Sequence, residues 1–285
     1  MSTCSRPPLP RERAALRLFR ALSPRLPCFE LPTPPPRLEP WEEVEVPRPG
    51  RTGTLRATWF PAEGGAGGAV LMLPPWTAWG SSYFHRRGRL EALRRAGWSA
   101  LTLDFPGFGD SGPAEGLFDR DVEDGLAELA RRAPGGPLAL WGVSAGGYWA
   151  HPVLARRDGV AGAFFEDVSP HLFEWSARVR PVFRPMFLLF RLLFPAVHAF
   201  YDMRRHAGAF RVARSAHVSG ALDPGVRPED TRELAERAGG RWLVVPGARH
   251  LEAIKAAPEQ VIALGLETIG AVQARLSPAS PRSGP

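Results

Sequence analysis

Ser144 stands between two glycines, each two residues away, in Gly142-Val143-Ser144-Ala145-Gly146, and no other serine is as well placed to act as a nucleophile. A serine hydroxyl attacks a carbonyl poorly at neutral pH unless a neighbouring base takes its proton. The usual base is a histidine held by a carboxylate. Candidates for the base are His85, His151, His171, His198, His206, His217 and His250. The chemistry would be acyl transfer through a covalent serine ester. An apolar run over 138–141 precedes the glycines, and a helix-compatible segment follows them. A buried strand turning sharply into a helix there would hold Ser144 in a strained backbone conformation, its oxygen exposed above the sheet. The helix N-terminus beneath it favours developing negative charge.

The elements that must position these groups alternate along the chain. The folded domain is expected to start near Trp41. Val44 and Val46 alternate with Glu43 and Glu45, and 54–60 alternates again, so a strand pair is predicted. The continuous apolar run over 69–73 reads as a central strand buried on both faces. A helix over 80–97, a strand over 98–105 and a helix over 119–132 follow, and Gly135-Gly136 ends the last of these before the strand that leads to Ser144. Strands are then expected over 160–168 and 215–222, a helix over 228–237, a strand over 241–245 and a closing helix from Leu251. Such alternation predicts an α/β fold, a mostly parallel twisted sheet with helices on both faces. Residues 170–215 interrupt it. Within them Pro185 and Pro195 bracket nine residues that are apolar except for Arg191, a run too short to span a bilayer.

In these motifs and their order the chain resembles the α/β-hydrolase family, over about residues 45–270. The G-V-S-A-G centre resembles the family's nucleophile elbow, DFPGFGDSG over 104–112 its D-x-x-G-x-G-x-S turn, and GARHLEA over 247–253 its G-x-x-H turn. The family's order of nucleophile, acid and base then falls on Ser144, Asp223 and His250, each directly after a predicted strand. Asp167, at the end of the 160–168 strand, is the alternative acid, because some relatives place it there. The resemblance implies that the oxyanion is met by the backbone N–H of Ala145 and by a second N–H after the 69–73 strand. There the family usually has His-Gly, whereas this chain has Pro74-Pro75, and proline has no N–H. The second donor is therefore Trp76, or Thr77 if the loop runs one residue longer. The 104–112 loop is assigned only turn hydrogen bonds, through Asp110 or Ser111.

The resemblance also implies that 170–215 is a helical cap. An apolar cap points to a hydrophobic acyl substrate, an ester, thioester or small amide; the alternative is a helix whose apolar face packs on the sheet. Three readings follow. The first is a serine hydrolase working through an acyl-enzyme on Ser144. The second is an acyltransferase using the same groups. The third is a hydrolase-fold protein that binds without catalysis, for which the Pro74-Pro75 loop is the main argument.

Composition narrows the classes further. With 285 residues, 44% hydrophobic and 23% charged, the chain suffices for a large core plus an insertion. The net charge of +7 comes from scattered arginines, Lys255 being the only lysine, so a compositional bias and no nucleic-acid partner is expected. Cys4 and Cys28 precede the domain, which predicts no disulfide framework and a reducing, cytoplasmic setting. The first residues have no apolar segment of a secretory signal. Residues 1–40 form a Pro/Arg-rich arm. Its 11–22 stretch has helical apolar spacing and is expected to pack on the body or to be partly disordered, with an anionic membrane surface as the alternative partner. The core spans 41–169 and 216–276, and 277–285 reads as a disordered tail. No metal cluster, phosphate loop or dinucleotide fingerprint is present, so no cofactor and no metal are inferred.

Overall fold

Gly68–Leu73 is buried at every position and forms β3, near the middle of an eight-stranded sheet. The structure is a computed structural model and describes residues 39–64, 67–77, 79–112 and 118–270. The 11–22 helix and the 277–285 tail lie outside the described residues. The other strands are β1 (Glu42–Val46), β2 (Leu55–Phe60), β4 (Trp98–Asp104), β5 (Leu138–Val143), β6 (Val160–Glu166), β7 (Arg214–Gly220) and β8 (Arg241–Val245). Their spatial order is β1-β2-β4-β3-β5-β6-β7-β8. β1 and β2 pair antiparallel, as do β2 and β4; every later pair is parallel.

Strand periodicity splits the core into two layers. Leu71, Leu73, Leu101, Leu103 and Leu140 enter one apolar cluster, while their neighbours Val70, Met72, Ala100, Ala139 and Trp141 enter the other. Successive side chains on a strand point to opposite faces, so two-sided burial needs the continuous apolar runs seen in the sequence. Helices α1 (Arg89–Arg95), α2 (Asp119–Arg132) and α3 (Ala145–Leu154) cover these faces. In α2 a stripe of Val122, Leu126 and Leu129 is fully buried, while Arg131 and Arg132 at its end hold Glu128.

The insertion is mostly helical: α4 (Leu172–Val179), a short 3-10 turn, α5 (Arg184–Leu193), α6 (Pro195–Phe200) and α7 (Met203–Ala207), followed by a turn into β7. The buried side of α5 packs against α4. Phe187 and Phe190 meet Phe173 of α4, at ring centroid distances of 5.6 and 4.9 Å. Leu188, Leu189, Leu192 and Leu193 stay exposed.

Several boundaries differ from the sequence reading, and the strand predicted over 160–168 ends at Glu166. The predicted helix over 80–97 is a 3-10 turn, Gly80–His85, and then α1, because Arg87 and Gly88 adopt positive φ of 70° and 75° and break the helical path. The 215–222 strand ends at Gly220, where the chain turns toward Asp223. The closing helix is divided: after α8 (Pro228–Arg237), the C-terminal segment forms α9 (Ala253–Ala256) and α10 (Pro258–Ile269). Pro258 cannot donate to the preceding turn and instead starts α10 at its first position.

A buried ion pair locks α1 to the sheet. The Arg89 guanidinium grips Glu166 of β6 with Nε–Oε1 at 2.8 Å and Nη2–Oε2 at 2.6 Å, and Trp141 Nε1 donates to the same carboxylate at 2.7 Å. Both charged side chains are 1% exposed. Glu166→Ala is expected to cost about 3–5 kcal/mol in urea unfolding, because it strands a buried cation. A loss below 1 kcal/mol would show that water or another group reaches Arg89.

Candidate active site

The β5–α3 turn presents Ser144 with φ 46° and ψ −110°, a strained conformation for a residue with a side chain. Its flanking glycines have steric causes. A Cβ on Gly146 would lie 2.3 Å from the carbonyl oxygen of Leu73, and one on Gly142 would lie 3.1 Å from the Cα of Gly147. The elbow therefore packs directly on the end of β3, which brings the Pro74–Thr77 loop beside it.

The structure brings Ser144, His250 and Asp223 together from three separate loops. Ser144 Oγ lies 3.1 Å from His250 Nε2, and His250 Nδ1 lies 2.5 Å from Asp223 Oδ2. The other oxygen of Asp223 accepts the N–H groups of Gly225 and Val226, at 2.8 and 3.0 Å. Burial opposes a charged imidazole at His250, but the hydrogen bond and charge of Asp223, with Asp167 behind, outweigh it and raise the pKa. The carboxylate thus fixes both the tautomer and the orientation of the ring.

Asp167, the alternative acid, is in the cluster but does not bond the histidine ring. Its Oδ2 accepts the Leu251 N–H at 3.0 Å and its Oδ1 accepts the Gly220 N–H at 3.3 Å. It ties the loop carrying His250 to the end of β7. Burial pushes its pKa up to about 7, with the nearby His250 lowering it and Asp223 raising it. Asp167, Asp223 and His250 have ligand-type atoms within 4.8 Å of one another. Each carboxylate oxygen already accepts an N–H, from the backbone or from His250, so the group is a hydrogen-bond network rather than a donor set turned toward a metal.

Of the two candidates for the second oxyanion donor, Thr77 is committed, since its N–H bonds the Pro75 carbonyl at 2.8 Å. Trp76 remains. Its ring is wedged against Phe108 and Trp149, at centroid distances of 4.9 and 5.6 Å, which fixes the loop. Ala145 opens α3, where the first N–H groups of a helix have no partner within it.

Two contributors escaped the sequence reading. Asp104 accepts the Asp110 N–H at 3.0 Å and the Ser81 N–H at 2.5 Å, and so pins the 104–112 loop to the turn after the Pro74-Pro75 loop. A Cβ on Gly80 or on Gly109 would run into its carboxylate. Ser111 makes the expected turn bond, donating to the Asp104 carbonyl at 2.7 Å. The second contributor is Trp175 of α4, whose ring centroid lies 5.6 Å from that of His250. A Cβ on Gly225 would strike that indole. The insertion therefore reaches the site through an aromatic wall; the signal available in sequence was only that an aromatic fell within the insertion.

No family model matches the chain, and no curated protein matches it. Solved structures do, and the chain has the α/β-hydrolase fold. A Pyrococcus furiosus esterase, Pf2001, superposes with a TM-score of 0.66 at 20% identity, covering 84% of this chain and 96% of that one. The α/β hydrolase GrgF from Penicillium sp. sh18 gives 0.65 at 16% identity over 82% and 99%. An esterase from Exiguobacterium antarcticum gives 0.57 at 17% identity over 76% and 96%. Among the described residues, no helix is long and apolar enough to cross a membrane.

Proposed function

We propose that the protein is a serine hydrolase that cleaves an ester, thioester or small amide of a hydrophobic acyl substrate. The observation that carries this reading is the continuous relay from Ser144 Oγ through His250 to Asp223 at 3.1 and 2.5 Å. Ser144 Oγ attacks the carbonyl carbon while His250 Nε2 takes its proton. The N–H groups of Ala145 and Trp76 receive the tetrahedral oxyanion. His250 then gives the proton to the leaving alcohol, thiol or amine, and an acyl ester remains on Ser144. Water attacks that ester with His250 again as base, which releases the acid and restores the serine. The exposed leucines of α5 support an apolar acyl chain or contact with a lipid surface. Cys4 and Cys28, both in the first 40 residues of the sequence, support a reducing cytoplasmic setting.

Fluorophosphonate labelling tests the reading. The wild type is expected to label and Ser144→Ala is not. A folded wild type that fails to label would leave a binding role as the better account. The pH profile provides a second test. The base must be neutral, and Asp223 raises its pKa from the ordinary imidazole value, so kcat/KM is expected to rise with pH along an acid limb set by His250. A wild type active at all pH values, with no titration along that limb, would remove His250 as the base.

A further inference from the structure

A cavity of about 240 Å³ opens beside His250, which forms part of its wall. Whole small-molecule sites run from about 300 to 1,000 Å³, so this space suits one group of a ligand rather than an entire one. Its chemistry is cationic. Arg86, Arg87 and Lys255 line it, with Glu252 as the carboxylate among the lining residues. Glu252 also accepts the Arg249 N–H at 3.2 Å, and Arg86 lies over the Trp79 ring at 5.3 Å. Arg87 and Lys255 are exposed and mark the mouth.

Arg89 and Thr77 also belong to the cavity lining, but their polar atoms are turned inward: the Arg89 guanidinium grips Glu166 and lies over the Tyr83 ring at 5.3 Å, and Thr77 is 2% exposed. The charge that a ligand in the cavity can reach is therefore that of Arg86, Arg87 and Lys255, which suits an oxyanion.

The geometry points to an anion-binding subsite that holds a carboxylate or phosphate on the leaving-group side of the substrate. The side follows from His250, which both walls the cavity and must protonate the departing atom; that part rests on the hydrolase reading. The protein would then favour acyl esters that join an apolar acyl chain to an acidic alcohol or thiol.

Thermal unfolding of Ser144→Ala tests the subsite without catalysis, with succinate and inorganic phosphate as separate probes. At saturation, at least one is expected to raise Tm by about 3 °C or more, and the rise should vanish when Arg87→Gln and Lys255→Gln are added. The probe with the larger shift tells a carboxylate site from a phosphate site. No shift with either, or a shift that survives both substitutions, overturns the subsite. Wild-type kinetics then test substrate choice, with 3-(butanoyloxy)propanoate set against propyl butanoate. The acidic ester is expected to have at least tenfold the kcat/KM of the neutral one, and the double variant should bring that ratio close to one. Equal rates for the two esters in wild type overturn the leaving-group assignment. A Tm shift in a protein whose wild type does not label with fluorophosphonate keeps the subsite and overturns the hydrolase reading alone.

Discussion

Alanine at Ser144 or at His250 is expected to lower kcat for an acyl ester by a factor on the order of 10⁵–10⁶, and the double variant should fall no further. The reason is the relay itself. Ser144 Oγ is 3.1 Å from His250 Nε2, so removing the base leaves an unactivated hydroxyl, and removing the hydroxyl leaves a base with nothing to deprotonate. Each variant therefore eliminates the same transition state. What survives is whatever rate the oxyanion donors and binding provide. Single-turnover and steady-state rates on one short-chain ester would measure this. Losses that multiply in the double variant would mean that the two groups act in separate steps, and the relay would have to be abandoned.

The second large effect is expected at Asp223 and not at Asp167. Asp223→Asn should reduce kcat about 10⁴-fold, because an amide at this position can stabilise the wrong imidazole tautomer and cannot support an imidazolium. Asp223 is also the group that raises the pKa of His250, so the acid limb of the pH profile should move to lower pH in this variant. Asp167→Asn leaves the 2.5 Å bond from His250 to Asp223 untouched. It exchanges one acceptor for a donor against the N–H groups of Gly220 and Leu251, which loosens the His250 loop. A loss of about tenfold in kcat is expected, the size set by misplacement rather than by lost chemistry. If the order of the two effects were reversed, Asp167 would be the acid that serves the histidine.

Much of the fold was legible because periodicity is a local property. The continuous apolar runs of β3 and β5 suit strands buried on both faces, as in a parallel sheet flanked by helices, and α2, α8 and β8 lie at the positions predicted for them. Boundaries were misjudged where the backbone, and not hydrophobicity, set the limit. Arg87 and Gly88 break a helix whose apolar pattern continues past them, and Pro258 divides another.

The chain by itself singled out Ser144: a serine between glycines can take a sharp strand-to-helix turn, and the clash that any Cβ on Gly146 would make with Leu73 is the physical form of that requirement. It also narrowed the partners to a few residues at strand ends. Only the tertiary structure chose among them. Asp167 and Asp223 follow neighbouring strands and reach the same cluster, so no spacing rule separates them. The direction of each carboxylate decides, one toward His250 Nδ1 and the other toward two backbone N–H groups. The aromatic wall of Trp175 and the Arg89–Glu166 ion pair likewise depend on contacts between distant segments, because hydrogen-bond and ring geometry are fixed by packing and leave no periodic trace in the chain.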